Sequence, residues 1–188
     1  MVPAIGFIGK YINISEEEMN DMLRVIQIAS YAKNDFILKQ GTVPREIGFI
    51  VKGCVRMFYT DEKGEEYTTG FISENSPLTS IDFLSTQMPS SLTIVALEPL
   101  ELITASRNDF FDFLEKHPRY ESVLRNIISE YMVLQGEQSR LQRIPAASER
   151  YKALLQFRPD IIQRVPLKYI ASYLGMAMET LSRVRAPR

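Results

Sequence analysis

The sequence contains few of the residues on which metal, haem and redox sites depend. Among 188 residues there are one cysteine, Cys54, one histidine, His117, and no tryptophan. A lone cysteine excludes an internal disulfide and an iron–sulfur cluster. A lone histidine argues against a metal-dependent enzyme, and its place before Pro118 at a predicted helix start fits a capping or exposed role better than haem ligation. Since nucleophile-elbow, phosphate-loop and zinc-protease motifs are missing too, we expect no enzyme activity, no metal and no resident cofactor.

Long apolar runs are also missing from the sequence. No stretch of eighteen uncharged apolar residues occurs, which predicts that no segment spans a membrane. The fairly apolar residues 1–15 lack a basic leader and a small-residue cleavage site, so we expect no secretion signal. Together with the lone cysteine, these absences predict a protein of the reducing cytoplasm.

Charge is distributed unevenly along the chain, although the formal net charge is only −1. Residues 1–139 hold 12 lysines and arginines against 20 acidic residues, whereas residues 140–188 hold 10 against 3. A basic segment joined to an acidic body is typical of a polyanion-binding module on a sensor or scaffold domain. Ordinary variation in surface charge would give the same pattern, so charge alone leaves both interpretations open.

The first two thirds of the chain predict a short helix followed by many strands. Ser15 and Glu18 have the spacing of a capping box. Apolar residues then recur at helical spacing: Met19, Met22, Leu23 and Ile26. From residue 35 the apolar runs become short, β-branched and aromatic, with turns expected at Gln40-Gly41, Asp61–Gly64 and Asn75–Pro77. The runs are FILKQG, IGFIVKGCVRMFYT, EYTTGFI and LTIVALEPLELITA. Strands at this spacing indicate an all-β barrel or roll.

A long helix is predicted over residues 119–143, where Gly136 is the only glycine and proline is absent. Apolar residues spaced alternately by three and four form one stripe, which also includes Gln138: Leu124, Ile127, Tyr131, Leu134 and Leu141. So narrow a stripe favours pairing with a second copy in a homodimer. The alternative is that it packs the helix against its own β domain. Ile144-Pro145 then predicts a hinge, followed by a compact helix over residues 148–157.

The segment VPLKYIASYLGMAMETLSRVR, residues 165–185, has the pattern of two short helices joined by a tight turn. Ile170 and Leu174 give the first helix an apolar face, and Ala171 is small enough for a second helix to cross closely. Gly175 lies where the turn needs a positive φ. The apolar side of the second helix consists of Met176, Leu181 and Val184. The pattern predicts a helix-turn-helix.

The outward face of this predicted helix-turn-helix is rich in hydrogen-bonding and cationic side chains. Such side chains read base edges and hold phosphates in a major groove. The candidates are Glu179, Thr180, Ser182, Arg183 and Arg185, with Lys168 on the first helix. A helical hairpin that only packs explains the apolar positions equally well, but it leaves the small residue, the glycine and the arginines unexplained. We therefore favour DNA binding.

Three segments carry a family resemblance. FILKQGTVPREIGFIVKGCVRMFY, PSSLTIVALEPLELITASRNDFFDFL and SERYKALLQFRPDIIQRVPLKYIASYLGMAMETLSRVR are similar, in order, to the first β-roll strands, the phosphate cassette with its closing strands, and the C-terminal domain of the Crp/Fnr transcription regulators. The resemblance is to short variants without a wing. It implies an α+β fold with an effector-sensing double-stranded β-roll of jelly-roll type (1–118), a dimerisation helix (119–143) and a helix-turn-helix domain (144–188).

The resemblance further implies an effector-responsive transcription regulator. Members of the family bind a palindromic site on double-stranded DNA as homodimers, and RNA polymerase is a further expected partner. Glu179 and Arg183 match family positions that contact base pairs, whereas Met178 stands where arginine is common, which predicts a different preferred base. Pro187 ends the helix and no wing follows, so usable affinity would need two half-sites engaged together. The alternative function is a stand-alone small-molecule-binding β-roll module with a decayed DNA-binding domain.

The phosphate cassette departs from the family pattern. Cyclic-nucleotide-binding members carry Gly-Glu on a short helix and then Arg-Ser, whereas this sequence has Thr79-Ser80 and Ser90-Ser91. The effector pocket is then expected around Ser80, Asp82, Ser90 and Ser91. Without an arginine a buried phosphate charge is poorly compensated, so we expect weak or no binding of cyclic AMP. Either an unidentified small molecule binds there or side chains fill the pocket, the candidates being Phe71, Phe83 and Leu92.

Overall fold

Two antiparallel four-stranded sheets face each other in the first part of the chain. The computed structural model describes residues 2–84 and 88–185. Its strands are β1 (Ile26–Tyr31), β2 (Phe36–Leu38), β3 (Glu46–Lys52), β4 (Val55–Thr60), β5 (Glu66–Ile72), β6 (Ser76–Leu78), β7 (Thr93–Ala96) and β8 (Leu100–Ser106). One sheet has the order β1-β8-β3-β6 and the other β2-β7-β4-β5. Buried apolar side chains of both sheets form the core of this β-roll: Ile50, Val55, Met57, Leu78, Ile94, Ala96, Leu100 and Leu102.

Two turns show why the strands can reverse where they do. Gly53, between β3 and β4, has a φ of 102°, and a Cβ there would lie 2.7 Å from the carbonyl oxygen of Pro99. No other residue fits without moving the backbone. In the hairpin of β4 and β5, Asp61 Oδ1 accepts hydrogen bonds from the backbone N–H groups of Lys63 and Glu65, both at 2.9 Å. The turn predicted after Asp61 is therefore confirmed.

The N-terminal region contains two helices, of which the sequence predicted one. The unpredicted helix is α1 (Val2–Ile8), and the predicted one is α2 (Glu16–Val25). Ser15 caps α2 in both directions: its Oγ accepts from the Glu18 N–H at 3.3 Å, and its own N–H donates to Glu18 Oε2 at 2.8 Å. Ile26 was assigned to this helix, but it begins β1, because the chain passes from helix to strand without a loop and pairs with β8.

Strand β6 corrects the turn predicted at Asn75–Pro77. Asn75 does turn the chain, with a φ of 60°, but Ser76 and Pro77 pair with β3. β6 lies at the edge of its sheet, where the missing N–H of a proline removes no ladder hydrogen bond. A short polar strand with a proline therefore lacks the pattern by which strands are recognised in a sequence.

The long helix lies between the β-roll and the C-terminal helices. After α3 (Ile81–Leu84), α4 (Arg107–Lys116) and a single 3₁₀ turn at Pro118–Tyr120, it runs as α5 (Glu121–Arg143). Of the predicted stripe, Leu124 and Ile127 pack against the N-terminal helices and α4, and Tyr131 packs on the core of the β-roll. Leu141 is fully buried among the C-terminal helices. Much of this stripe thus contacts its own chain, as the alternative interpretation has it, and its pairing with a second copy stays a prediction.

One stretch of α5 is exposed. Met132 and Val133 keep 61% and 64% of their surface in solvent, and Leu134, the fourth residue of the predicted stripe, keeps 39%. Gly136 follows on the same exposed stretch, with nothing within 4 Å of the position that a Cβ would take. These four residues are called the α5 apolar patch below.

Four short helices form the C-terminal part of the chain. They are α6 (Ala147–Phe157), α7 (Pro159–Arg164), α8 (Leu167–Tyr173) and α9 (Met178–Arg185). The predicted interruption at Ile144-Pro145 is confirmed, since α5 ends at Arg143. The helices share a core that includes Leu141, Leu154, Ile161, Ile170, Leu174 and Leu181, and α8 packs on β5. Pro187 and the end of the chain lie outside the described residues. In the described part of the chain, no helix combines the length and apolarity needed to cross a membrane.

Candidate functional site

The four residues predicted for an effector pocket lie together, between the end of β6 and the start of β7. Ser80 Oγ donates a hydrogen bond to Asp82 Oδ2 at 2.7 Å, and the backbone N–H of Ser91 donates to the same oxygen at 3.0 Å. Ser91 Oγ lies 3.3 Å from this oxygen, and the hydroxyls of Ser80 and Ser90 are 3.3 Å apart. We call these four residues the serine cassette.

The carboxylate of Asp82 is the centre of the serine cassette. Burial raises the pKa of Asp82, but hydrogen bonds from the Ser80 hydroxyl and from Ser91 outweigh burial and hold the pKa below its ordinary value. Ser80 and Ser90 are almost completely buried, at 1% and 2% exposure. Ser90 also bonds to its neighbour, since its hydroxyl donates to the carbonyl of Leu92 at 2.9 Å. These hydroxyls and the Ser91 amide are therefore already bonded within the chain.

A cavity of about 370 Å³ opens beside the serine cassette, between the two sheets of the β-roll. Thr79 and Ser80 form its border with the cassette, and the side chains of Leu78, Ile94 and Leu102 form an apolar wall. Charged and hydroxyl side chains lie around the rest of the cavity: Tyr31, Lys39, Thr42, Arg45, Glu46 and Thr104. This volume suits a small organic molecule.

Two of the three residues predicted to fill the pocket lie elsewhere. Phe71 is buried against the C-terminal helices, with its ring 5.4 Å from that of Tyr173. The cause is the strand register: Phe71 pairs with Arg56, whose neighbours Val55 and Met57 face the core, so Phe71 lies on the opposite face of the sheet. Phe83 packs instead on Phe111 of α4, at 6.0 Å between ring centroids. Leu92 packs against the core of the β-roll, and it is not among the residues that line the cavity described above.

The predicted DNA-contacting side chains lie on the outer faces of α8 and α9. Glu179, Ser182, Arg183 and Arg185 are exposed, and Thr180 is half-buried. On α8, Lys168 is exposed and its ammonium lies 4.7 Å from the centre of the Tyr169 ring. One face of α9 thus carries carboxylate, hydroxyl and guanidinium groups over a length of eight residues.

The inner sides of α8 and α9 hold this face in place. Leu181 is fully buried, as are Ile170 and Leu174 of α8. Gly175 has the predicted positive φ, 61°, which ends α8 and lets α9 turn away. Arg150 of α6 ties the turn down, because its guanidinium donates to the carbonyls of Leu174 at 2.8 Å and of Gly175 at 3.2 Å.

Sequence reasoning missed the contacts that join the β-roll to the C-terminal helices. The Ser172 hydroxyl of α8 accepts a hydrogen bond from the backbone N–H of Thr68 in β5 at 2.9 Å. The buried Arg56 guanidinium lies between the rings of Phe58 and Tyr169, at 4.1 and 4.0 Å, and donates to the Thr68 hydroxyl at 2.8 Å. Ser172 and Thr68 are 104 residues apart, so no local pattern indicates that they meet.

An ion pair links the β5–β6 turn to α7. Arg164 binds both carboxylate oxygens of Glu74, each at 2.7 Å, and also contacts Glu98. Glu74 Oε1 accepts a further bond from the Gly53 N–H at 2.9 Å. The hydrogen bonds from Arg164 lower the pKa of Glu74 to about 2, against the smaller opposing effect of burial. The same two carboxylates raise the pKa of Arg164 above its ordinary value.

The two residues considered for metal and redox chemistry lie apart from the serine cassette. Burial raises the pKa of the Cys54 thiol to about 12, so it is protonated and unreactive at neutral pH. His117 is half-buried at the end of α4, and its Nε2 lies 2.9 Å from Asp21 Oδ2. Within residues 2–84 and 88–185, no three histidine, cysteine, aspartate or glutamate side chains come together as metal ligands would.

The sequence profile of the cyclic nucleotide-binding domain matches residues 28–117. The matched range extends from β1 to the end of α4 and includes the whole serine cassette. No curated protein matches the sequence. Residues 28–117 therefore form a domain of the cyclic nucleotide-binding type.

Solved structures of transcription regulators share the fold over most of the chain. The c-di-GMP responsive global regulator CLP of Xanthomonas campestris is 14% identical, with a TM-score of 0.73 over 90% of this chain and 89% of that one. FixK2 of Bradyrhizobium japonicum is 18% identical, with a TM-score of 0.71 over 85% and 82%. A regulatory subunit of a cAMP-independent protein kinase A from Trypanosoma brucei, 18% identical, matches with a TM-score of 0.57 over 73% of this chain and 47% of its own. At these identities the similarity establishes the fold.

Proposed function

We propose that this protein is a non-enzymatic transcription regulator of the Crp/Fnr type, which binds a roughly palindromic site on double-stranded DNA as a homodimer. The observation that carries the proposal is the exposed face of α9, where Glu179, Ser182, Arg183 and Arg185 face solvent while Leu181 is buried beneath them. The folds of two regulators, matched over most of their length, support it. The basic balance of residues 140–188 supports it as well.

The chemistry of this face suits a major groove. A guanidinium binds guanine O6 and N7 through two hydrogen bonds, a carboxylate accepts from the cytosine amino group, and a serine hydroxyl does either. Arg183 and Glu179 are the side chains that we assign to bases. Ser182, Arg185 and Lys168 are assigned to phosphates, together with the half-buried Thr180. A helix of this length makes few contacts, so specific binding requires two copies that engage half-sites one helical turn apart.

We assign dimerisation to the α5 apolar patch, since the predicted stripe is largely covered by its own chain. Met132 and Val133 are large, apolar and exposed, and Gly136 would let a second helix approach closely. Leu134 is the one residue of the predicted stripe that belongs to the α5 apolar patch. Pairing of two α5 helices through this patch would bring two copies of α9 into one complex, and RNA polymerase would be contacted from that complex.

A ligand-driven shift between two arrangements is the mechanism that we propose for regulation. A second cavity, of about 320 Å³, is lined by Tyr131 and Leu134 of α5, Pro77 of β6, and Arg158 and Asp160 near the start of α7. A molecule in the β-roll or in this cavity would bias how α5 helices pair, and the Ile144-Pro145 interruption would pass the change to α9. Because the serine cassette has no arginine where cyclic-nucleotide-binding members of the family carry one, cyclic AMP is not the effector that we propose.

A second candidate function is a stand-alone small-molecule-binding module that does not read DNA sequence. The observation in its favour is that the kinase regulatory subunit from Trypanosoma brucei has the same fold over 73% of this chain. Such a module would show only salt-sensitive binding to DNA, without preference for any sequence.

Selection of bound duplexes from a random pool, with and without a metabolite extract, tests the proposal. We expect enrichment of a site with two related half-sites, bound by a dimer. Arg183→Ala should reduce the preference for the selected site over random duplex about 10-fold or more, because each base read by an arginine is worth about 1–3 kcal/mol. Arg24→Ala, an exposed arginine on α2, is the matched control and should leave the preference unchanged.

The two functions give different outcomes in this experiment. A monomer that enriches no sequence, or an Arg183→Ala variant with unchanged selectivity, would contradict the regulator and favour the module. Circular dichroism of each variant checks that a loss of selectivity does not come from unfolding.

A further inference from the structure

Three hydrogen-bond donors in the serine cassette converge on a single oxygen. The Ser80 hydroxyl, the Ser91 backbone N–H and the Ser91 hydroxyl lie 2.7, 3.0 and 3.3 Å from Asp82 Oδ2. The Ser80 hydroxyl lies in the segment after β6, and both Ser91 donors lie in the segment before β7. Convergent hydroxyl and amide donors are the arrangement that proteins use to hold one oxygen of a phosphate or sulfate.

The two donor residues differ in their surroundings, since Ser91 is exposed to solvent and Ser80 is buried. Ser80 is 1% exposed and belongs to the wall of the 370 Å³ cavity in the β-roll. Apolar side chains on the opposite wall would cover the organic part of a ligand whose anionic end reached the donors. The matched profile is that of a domain named for cyclic nucleotides, which carry one phosphate anion. In this chain the anion at the donors is a side chain.

We infer that Asp82 is a built-in occupant of an oxyanion site, and that its carboxylate takes the place of the phosphate of a ligand. The wild-type site then binds no phosphate-bearing molecule through these donors, because the donors are used and a second anion would be repelled. Removal of the carboxylate leaves three donors without this acceptor, and one of them, the Ser80 hydroxyl, belongs to a residue that lines the cavity. That vacated site binds inorganic phosphate. This inference does not depend on DNA binding and stands or fails separately from it.

The occupant is also placed where the long helix can respond to it. The side chain of Tyr131 on α5 is packed on the core of the β-roll. Burial raises its pKa, and the negative charge of Asp82 raises it further. The charge of Asp82 therefore reaches a side chain of α5 that packs on the β-roll.

Chemical rescue by phosphate tests the inference. The full-length wild type, Asp82→Ala and a control are melted with and without sodium phosphate, with ionic strength matched by sodium chloride. Asp82→Ala should gain about 3 °C in Tm at a phosphate concentration ten times its Kd, and titration calorimetry should show one site. The wild type should show neither effect. The control is Asp35→Ala, which removes an exposed carboxylate that accepts only the Ala32 N–H among the bonds described, at 2.8 Å.

Each outcome decides the matter. A phosphate-dependent gain in Asp82→Ala that is absent from the wild type and from Asp35→Ala supports the built-in occupant. Equal gains in all three proteins, or no gain in Asp82→Ala, overturn it and leave the serine cassette as an ordinary set of loop hydrogen bonds. If Asp82→Ala does not fold in chloride, phosphate should restore its circular dichroism, and Asp82→Ser is tested in the same way. Failure of phosphate to restore either variant also overturns the inference.

Discussion

The serine cassette and the outer face of α9 contain similar polar side chains in opposite situations. In the serine cassette, Ser80 and Ser91 donate hydrogen bonds to Asp82 of the same chain. On α9, Ser182 and Arg183 are exposed to solvent. Residue type therefore says little about whether a site can take a partner. What matters is whether its donors and acceptors are already used, because a new partner must then displace an existing bond.

The two regions also differ in how the structure relates to the function that the sequence resemblance implies. The cassette is where the sequence resembles a ligand-binding family but the structure supplies an internal anion. The α9 face is where a resemblance to DNA-binding helices coincides with exposed groups on a buried apolar support. Variants that alter one region and leave the other intact test whether this difference holds.

The largest expected effect separates the two faces of α9 itself. Leu181→Ala removes a fully buried side chain, and we expect the free energy of unfolding to fall by about 2–5 kcal/mol. Ser182→Ala, at the adjacent exposed position, should change it by less than about 0.5 kcal/mol. Urea denaturation followed by circular dichroism measures both. Similar losses in the two variants would mean that α9 is not supported as described.

The next effect concerns the ion pair that connects the β5–β6 turn to α7. Glu74→Gln should lower the free energy of unfolding at pH 7 by about 1.5 kcal/mol, the lower end for bonds to charged groups, since both partners are partly exposed. The folded-state pKa of Glu74, about 2, lies below its ordinary 4.5. The stabilisation is therefore complete above pH 4.5 and is lost as the pH falls towards 2.

Urea midpoints of the wild type and Glu74→Gln between pH 7 and pH 2 check this prediction. Their difference should shrink on the acid side of pH 4.5. Glu62→Gln, an exposed glutamate in the β4–β5 hairpin, serves as the control and should show no such difference. A gap between wild type and Glu74→Gln that persists unchanged at pH 2 would contradict the role assigned to the Glu74–Arg164 pair.

A smaller effect is expected at the phosphate-contacting edge of the proposed DNA surface. Lys168→Ala should weaken binding to all duplexes alike and should reduce the slope of log affinity against log salt by about 1 for each subunit. Fluorescence anisotropy at several salt concentrations measures the slope. Lys33→Ala, an exposed lysine between β1 and β2, should leave it unchanged. A change in sequence preference in Lys168→Ala would instead assign this side chain to a base.

The smallest expected signal is that of cyclic AMP. Calorimetric titration of the wild type should give no binding in the micromolar range, because the serine cassette has no arginine at the family position and its donors bind Asp82. Micromolar affinity would contradict this prediction and would remove the contrast between the two regions, since the cassette would then be as available to a partner as α9.

Local signals in the sequence predicted much of the fold. The Ser15 capping box, the turn after Asp61, the positive φ of Gly175 and the end of α5 before Ile144 all depend on residues close together in the chain, and all are confirmed. β1 and β6 escaped prediction because one continues directly from a helix and the other is three residues long. In both, pairing with a distant strand outweighs local pattern.

The sequence predicted that Asp82, Ser80, Ser90 and Ser91 would lie together. It gave no indication that the Asp82 carboxylate would be the hydrogen-bond acceptor at the centre of this group. The predicted seam on α5 had the right period, but Leu141 is covered by helices that follow it in the chain. A periodic pattern identifies a buried face without saying which part of the protein buries it.

The attachment of α8 to β5 has a consequence for how the chain can be divided. β5 is an edge strand, and its backbone at Thr68 donates to Ser172 Oγ and accepts from Gln138 Nε2. Side chains of the helical part thus occupy main-chain groups that would otherwise pair with a strand of another molecule. A fragment that stops at residue 143 would keep Gln138 but lose Ser172, which uncovers the Thr68 N–H. We expect it to self-associate through β5, so isolating the β-roll calls for a blocking substitution in β5 as well as a cut.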